Sequence, residues 1–352
     1  MKFPVDLLAD FSKAQLENLA QEYYMNTLLY SQHDSSEYLT LPDTTQVTIS
    51  VSSTGFVPFY GQNEKNKILV LFSPSDLKSA IALYLLDRWW TVEDILKTAD
   101  PARRGVLPVD TVGERIVLYI LNRIIYRGKE MIAEELPFLC HGENDHAKIL
   151  WEDGEAVGFY SVKPTGSMYK RFSTQTYQLP VMDSIFVRKC HRGKGSGLLM
   201  LKDFVLSFSE VSLGLKYPLS NSMYRVCEKY LCEYPEHADL LWEVESIGGP
   251  YQRTNIASKI QVMGLSAVSK SLSFSEESQV IADVREDLIT EQIKEATEGS
   301  VEIVVRYSHL ISVTYFIKIT VEIFNKLLCF GFVGGNDSSE NHQRVCFILK
   351  KL

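Results

Sequence analysis

Leu16, Leu19, Tyr23 and Leu28 or Leu29 recur at about helical spacing behind Ser12, a side chain suited to cap a helix start, so the chain opens on a predicted helix. Thr45–Val51 alternates β-branched and polar positions and predicts a strand, and Gly55 and Pro58 then punctuate the chain. Ile68–Phe72 is a short unbroken apolar run of the kind a buried strand makes. After Ser73-Pro74, the stripe Ala80, Leu83, Tyr84, Asp87 and Trp90 fits a helix, on which Trp89 and Trp90 divide into one core ring and one half-buried ring. Thr91 with Asp94 marks another helix start. Pro101 and Gly105 break the chain. Val112 to Arg127, carrying Ile116, Tyr119, Ile120, Arg123 and Ile124, predicts a third helix.

Beyond residue 131 the period changes. Ala147–Trp151 and Ala156–Val162 flank Glu152-Asp-Gly-Glu, a β-hairpin signal with Asp-Gly in the turn. Leu179–Val187 predicts a strand that runs into a glycine-rich loop. A helix over Leu198–Phe208, another over Ser220–Tyr234 and a strand at Leu240–Glu245 come next. Elements alternating in this way imply an α/β (α+β) fold on a mixed sheet. The Ser/Glu-rich stretch within 256–300 reads as a linker with one helix around 280–296. Residues 301–352 are apolar and strand-prone, but Arg306, Lys318, Glu322 and Lys326 interrupt them, so a strand is favoured over a membrane span. The expected organisation is an N-terminal α/β extension (1–105), a core (106–255), the linker and the tail.

Composition narrows the function classes. A chain of 352 residues, 45% hydrophobic and 23% charged, suits one large globular domain or two modest ones. Lys plus Arg number 36 against 44 acids, a net charge of -8 that argues against a whole-surface grip on nucleic acid. The six cysteines, at 140, 190, 227, 232, 329 and 346, include no C-x-x-C pair and no zinc-type spacing, so no metal site is expected. They are too sparse for a disulfide scaffold, which points to a reducing compartment, the cytoplasm and/or nucleus. Pro4 and Asp6 interrupt the apolar core that a signal peptide needs, and no membrane insertion is expected.

The segment that can carry chemistry is Val187-Arg-Lys-Cys-His-Arg-Gly-Lys-Gly-Ser-Gly-Leu-Leu, which sets Arg192, Gly193, Lys194, Gly195, Ser196 and Gly197 between a strand and a helix. Three glycines permit positive φ and close approach of a ligand, and the amides at a helix start favour an anion such as a pyrophosphate. The Walker spacing is absent, and Met200 breaks the dinucleotide pattern. Arg188, Lys189, His191, Arg192 and Lys194 make a dense basic patch suited to phosphates.

The order hairpin, strand, Arg-x-x-Gly-x-Gly loop and Leu-Leu helix resembles the core of the GNAT acyltransferase superfamily over roughly residues 110–245. The resemblance implies a mixed, mostly antiparallel sheet flanked by helices that binds acetyl-CoA or CoA. Its pantetheine-pairing strand falls at Ile185, Phe186 and Val187 and its pyrophosphate loop at Arg192 to Gly197. Phe3-Pro-Val-Asp, Gly55-Phe-Val-Pro-Phe-Tyr-Gly, Leu121-Asn-Arg-Ile-Ile-Tyr-Arg, Pro137-Phe-Leu-Cys-His and Gly158-Phe-Tyr-Ser-Val-Lys-Pro-Thr-Gly are similar to the soluble lamin-associated protein family, in its shorter form without a long acidic tail. That likeness implies a nuclear-envelope protein as a partner and brings no established activity.

Amine acylation needs a base and often an acid, and implies a protein or small-amine acceptor. The tyrosine that GNAT enzymes use as acid falls at Glu228 here, with Tyr224 one helical turn earlier as its substitute. Asp183 is the expected base, because period two gives it the face of Val181, Ile185 and Val187. A strand-end Asp bonded to nearby backbone, a packed Tyr224 and a solvated His191 are the alternative readings. The two functional classes left open are an N-acyltransferase and a catalytically silent GNAT-fold scaffold or interaction module.

Overall fold

The computed structural model describes residues 2–30, 37–60, 63–132, 135–169 and 175–264; the expected helix at 280–296 and the tail lie outside the described residues. α1 (Pro4–Leu7) leads into α2 (Lys13–Tyr23), which continues to Leu29 in wider π-type turns. Ser12 and Gln15 cap α2 reciprocally: the Gln15 N–H donates to Ser12 Oγ at 3.3 Å, and the Ser12 N–H to Gln15 Oε1 at 2.9 Å. β1 (Glu37–Thr40) and β2 (Gln46–Ile49) form a two-stranded ribbon. β3 (Thr54–Tyr60), β4 (Asn63–Ser73), β5 (Asp76–Leu85) and β6 (Arg88–Thr91) then make a four-stranded antiparallel meander.

The helix expected after Pro74 is therefore two strands. Leu83 pairs with Trp90 and Tyr84 with Trp89 across a tight turn at Leu86-Asp87, where Leu86 takes φ 63°. Both faces of this sheet are covered. Val70, Leu83, Leu85 and Trp90 face one apolar cluster, and Leu69, Leu71, Ala82 and Trp89 another. Apolar residues on both faces erase the alternation by which a strand is recognised. Trp89 and Trp90 consequently stand on opposite faces of β6 and are both buried, not one core and one half-buried ring on a helix.

Thr91 caps the short α3 (Val92–Ile95) with Asp94, as expected. After β7 (Gly105–Pro108) comes α4 (Val112–Tyr119), started by a Thr111–Glu114 capping box and extended to Glu130 by π-type turns. β8 (His146–Glu152) and β9 (Glu155–Lys163) form the expected hairpin, whose Asp153 and Gly154 take φ of 47° and 81°, the left-handed values that such a turn demands. β10 (Val181–Val187), α5 (Ser196–Ser207), β11 (Leu213–Lys216), α6 (Asn221–Glu233), β12 (Leu241–Val244) and β13 (Arg253–Asn255) complete the described strands and named helices.

β7 to β13 lie in sequence order in one seven-stranded sheet. It is antiparallel from β7 to β10, parallel from β10 through β12, and antiparallel again at β13. The protein is thus a mixed α/β fold with mostly antiparallel sheets flanked by helices. One face of the large sheet, with Val157, Tyr160, Val162 and Met182, is covered by Met200 and Phe204 of α5 and Met223 and Cys227 of α6. The other, with Ile149, Phe159 and Phe186, packs against Ile116, Ile120 and Ile124 and against the four-stranded sheet. The core is thus continuous from residue 5 into the large sheet.

It also passes residue 255, the expected end of the core. A helical segment from 256 to 264 buries Ile256 completely, packs Ile260 beside it, and pairs Lys259 with Glu243. Ile256→Ala should cost about 2–4 kcal/mol, read as a lower urea midpoint with an unchanged m-value; a midpoint within error of wild type would show that the segment does not belong to the core.

Candidate functional site

The site is built by an interruption in β10. Val181 and Met182 pair with Gly214 and Leu215 of β11, and there the pairing stops, while β11 goes on to pair four residues with β12. On its other edge β10 pairs with β9 as far as Val187, with a register shift between Met182 and Ser184 that leaves Asp183 as the bulged residue. The Arg188 N–H donates to Val157 O, which continues the register of Ser184 opposite Ser161 and Phe186 opposite Phe159. In an antiparallel ladder, inward and outward pairs alternate, so the N–H and C=O groups of Ile185 and Val187 point away from β9 into the parting between β10 and β11. Among the described residues their one partner is Arg192, whose Nε donates to Val187 O at 2.8 Å.

The parting leads to the N-terminus of α5. Gly193 and Gly195 take φ of 83° and 89°, and a Cβ at either would meet open space. Gly195 is the N-cap of α5 and caps it with no side chain. The first amide of the helix with a backbone acceptor is Leu199, bonded to Gly195 O at 3.0 Å. Six consecutive amides, from Gly193 to Leu198, therefore donate to no protein group among the described residues. Such a run of donors at the positive end of a helix dipole is of the kind that suits a pyrophosphate.

The side chains around it are less free than the basic patch implied. Arg188 is buried and paired with both Glu93 and Glu155. Arg192 holds Val187 O and lies 3.4 Å from Glu130, which also accepts the Lys189 N–H. Glu152 reaches from the hairpin to meet His191 Nδ1 at 3.0 Å and the Ser196 hydroxyl at 3.2 Å. His191 is thus a half-buried anchor of the loop and not a solvated histidine. Lys194 is exposed and makes no ion pair among the described residues. Gly197 serves packing, since a Cβ there would lie 3.3 Å from Val226 of α6. What the loop offers an anion is therefore its backbone amides and Lys194.

The bulge changes the surroundings expected of Asp183. It keeps the face of Val181 but not that of Ile185 and Val187, which pack with Met182 on the α5–α6 side. Asp183 instead accepts from Ser161 Oγ at 2.8 Å and lies 3.8 Å from Lys216. Behind it is a polar cluster unforeseen in the sequence. Ser161 and Ser184 hydroxyls are 2.5 Å apart, Ser184 is 3.3 Å from His141 Nε2, and His141 Nδ1 is 3.3 Å from Asn122 Nδ2. All four residues are buried. Two serines inside otherwise apolar strand runs, Phe159-Tyr-Ser-Val and Asp183-Ser-Ile-Phe, were the available signal.

Tyr224 is on α6, against the opposite face of the sheet from Asp183. Its buried hydroxyl donates to Glu243 Oε2 at 2.8 Å, and Lys259 and the Leu219 N–H hold the same carboxylate. Burial raises the hydroxyl's pKa, with Glu243 adding to the rise and Lys259 opposing it. The packed reading of Tyr224 describes it, and Glu228 is exposed. The two expected catalytic side chains are therefore not brought together.

This is a mixed α/β protein with a parted central strand pair above a glycine-rich helix start. The chain is 41% identical over 262 residues to Protein FAM169B of Mus musculus, covering 73% of this chain and 77% of that protein. It is 40% identical over 122 residues to Protein FAM169BP of Homo sapiens, covering 34% of this chain and 64% of that one. It belongs to the FAM169B family. No protein-family model matches the chain. No solved structure matches it.

Burial lowers the pKa of His141 to about 4, with nearby Lys163 and Arg115 adding to the effect and Asp183 and Asp145 opposing it. The folded pKa lies below the unfolded value of 6.5, so the unfolded chain binds more protons between these two. The stability that neutral His141 contributes is complete above pH 6.5 and is lost as pH falls towards 4, by about 3 kcal/mol. Urea unfolding at pH 7.5 and 4.5 should show a steeper loss in wild type than in His141→Gln; equal slopes would contradict the assignment.

Proposed function

We propose that this chain binds CoA or acetyl-CoA in the manner its GNAT resemblance implies, with the pantetheine arm along Ile185–Val187 and the pyrophosphate on the amides of Gly193 to Leu198. The observation that carries the reading is the coincidence of outward-facing strand groups at Ile185 and Val187 with six acceptor-free amides at the end of the same strand. Backbone donors without protein acceptors are open to a ligand that supplies those acceptors and shields them from water. Acetyl-CoA would bring an activated acyl group to the apex of the parting, where Asp183 stands beside the last β10–β11 pair. There a carboxylate can take a proton from an ammonium acceptor on a protein or a small amine. On the same reading the protein works in the cytoplasm and/or nucleus, and a nuclear-envelope protein is a partner through the lamin-associated resemblance. Among the described residues no helix is long and apolar enough to cross a membrane.

A specific observation favours a second reading, a GNAT-fold interaction module that retains the pocket without turnover. The hydroxyl of Tyr224 is engaged with Glu243, and the position at which GNAT enzymes place their acid is an exposed glutamate.

Calorimetric titration with acetyl-CoA and with CoA tests the cofactor site. Wild type should bind both in the micromolar range. Lys194→Glu, which adds a repelling charge without backbone strain, should weaken binding about 10-fold or more, and Gly195→Glu should abolish it. No binding by a folded wild type, or unchanged affinity in both variants, would refute the site. Thiol release with an amine present then separates transferase from module.

A further inference from the structure

The polar cluster behind Asp183 has a direction. Asn122 Nδ2 donates to Leu139 O at 2.9 Å, which fixes the amide's orientation, since its oxygen cannot face a carbonyl. The second amide hydrogen points at His141 Nδ1, 3.3 Å away, so that nitrogen is the acceptor and the neutral ring carries its hydrogen on Nε2. Nε2–H donates to Ser184 Oγ. At the other end an ionised carboxylate can only accept, so Ser161 Oγ donates to Asp183 Oδ1, and the Ser184 hydroxyl must donate to Ser161. An amide nitrogen that can only donate and a carboxylate that can only accept fix every bond between them.

We propose that Asn122, His141, Ser184 and Ser161 are positioning residues: a one-way hydrogen-bond chain that fastens Oδ1 of Asp183 and presents Oδ2, which faces Lys216 Nζ across 3.8 Å, at the parting of β10 and β11 as the base for a primary ammonium acceptor. This inference rests on the acyl-transfer reading above. The chain orients and does not conduct, because His141 Nδ1 is closed by an amide hydrogen and offers a proton no exit. In the step it serves, one N–H bond of the ammonium breaks and one O–H bond forms on Asp183 Oδ2, while the electron pair stays on nitrogen and makes it nucleophilic. The bulge is what makes the arrangement possible. It turns Asp183 and Ser184 towards Ser161 and His141 at the one residue where β10 loses its partner strand.

The test measures amine-dependent thiol release from acetyl-CoA, with spermidine and a lysine-bearing peptide as acceptors, alongside calorimetric affinity for acetyl-CoA. Ser161→Ala and Ser184→Ala, each a small change within the chain, should lower kcat about 10-fold or more with the acetyl-CoA Kd unchanged. Asp183→Asn should lower it further, and Ser161→Ala should cost nothing more in that background, a coupling that a merely structural serine would not give. Wild-type kcat in Ser161→Ala, or losses that add in full on Asp183→Asn, would overturn the proposal. So would a wild type that binds acetyl-CoA and releases no thiol with either amine, and the cofactor site would then stand without the base. A wild type that fails to bind acetyl-CoA removes the cofactor reading itself, and the positioning role with it.

Discussion

The backbone hydrogen bonds of β10 govern the rest of this structure. A strand in the middle of a seven-stranded sheet ordinarily satisfies both edges, and β10 does so only as far as Met182. Beyond that point one edge stays on β9 and the other opens, so the half-buried backbone of Ile185 and Val187 faces the parting, met among the described residues by Arg192 at Val187 O alone. Leaving such groups dry costs on the order of 1–3 kcal/mol each. The structure holds the parting open because both neighbours are fixed elsewhere: β11 by four pairs with β12, and β9 by the tight hairpin to β8.

Both chemical features of the protein arise from that opening. The same strand that parts from β11 ends in the loop whose amides lack acceptors, so on the proposed reading one continuous stretch of main chain would serve both the pantetheine arm and the phosphates. The bulged Asp183 marks the apex and faces the side of the sheet where a buried histidine and two serines wait, opposite the side where Tyr224 is tied to Glu243. The carboxylates Glu130 and Glu152 hold the basic loop against α4's extension and the hairpin, which fixes its geometry while reducing its net positive charge. The site is therefore defined by directed dipoles more than by charge.

Much of this is legible in the sequence where local chemistry is decisive. Ser12 and Thr91 start helices because their hydroxyls meet amides three residues on, and Asp153-Gly154 makes a hairpin because those residues tolerate left-handed backbone. The glycine loop is readable for the same reason. β5 and β6 are not, because a sheet covered on both faces loses its period-two signal and the turn at Leu86-Asp87 lacks a glycine. The face of Asp183 differs from expectation because strict alternation assumes an unbroken strand, and nothing in Val181-Met-Asp-Ser-Ile announces a bulge. His141 has no role that local sequence can assign, since its partners lie 19 and 43 residues away in the chain.

Hydrogen–deuterium exchange of the β10 amides, followed residue by residue by NMR, tests the open strand edge most directly. The account predicts fast exchange at Ile185 and Val187 and slow exchange at Ser184 and Phe186 in the free protein, with added CoA protecting 185, 187 and the amides of 193–198. Uniform protection along β10 in the free protein, unchanged by CoA, would mean that the edge is already satisfied and would contradict the account at its root.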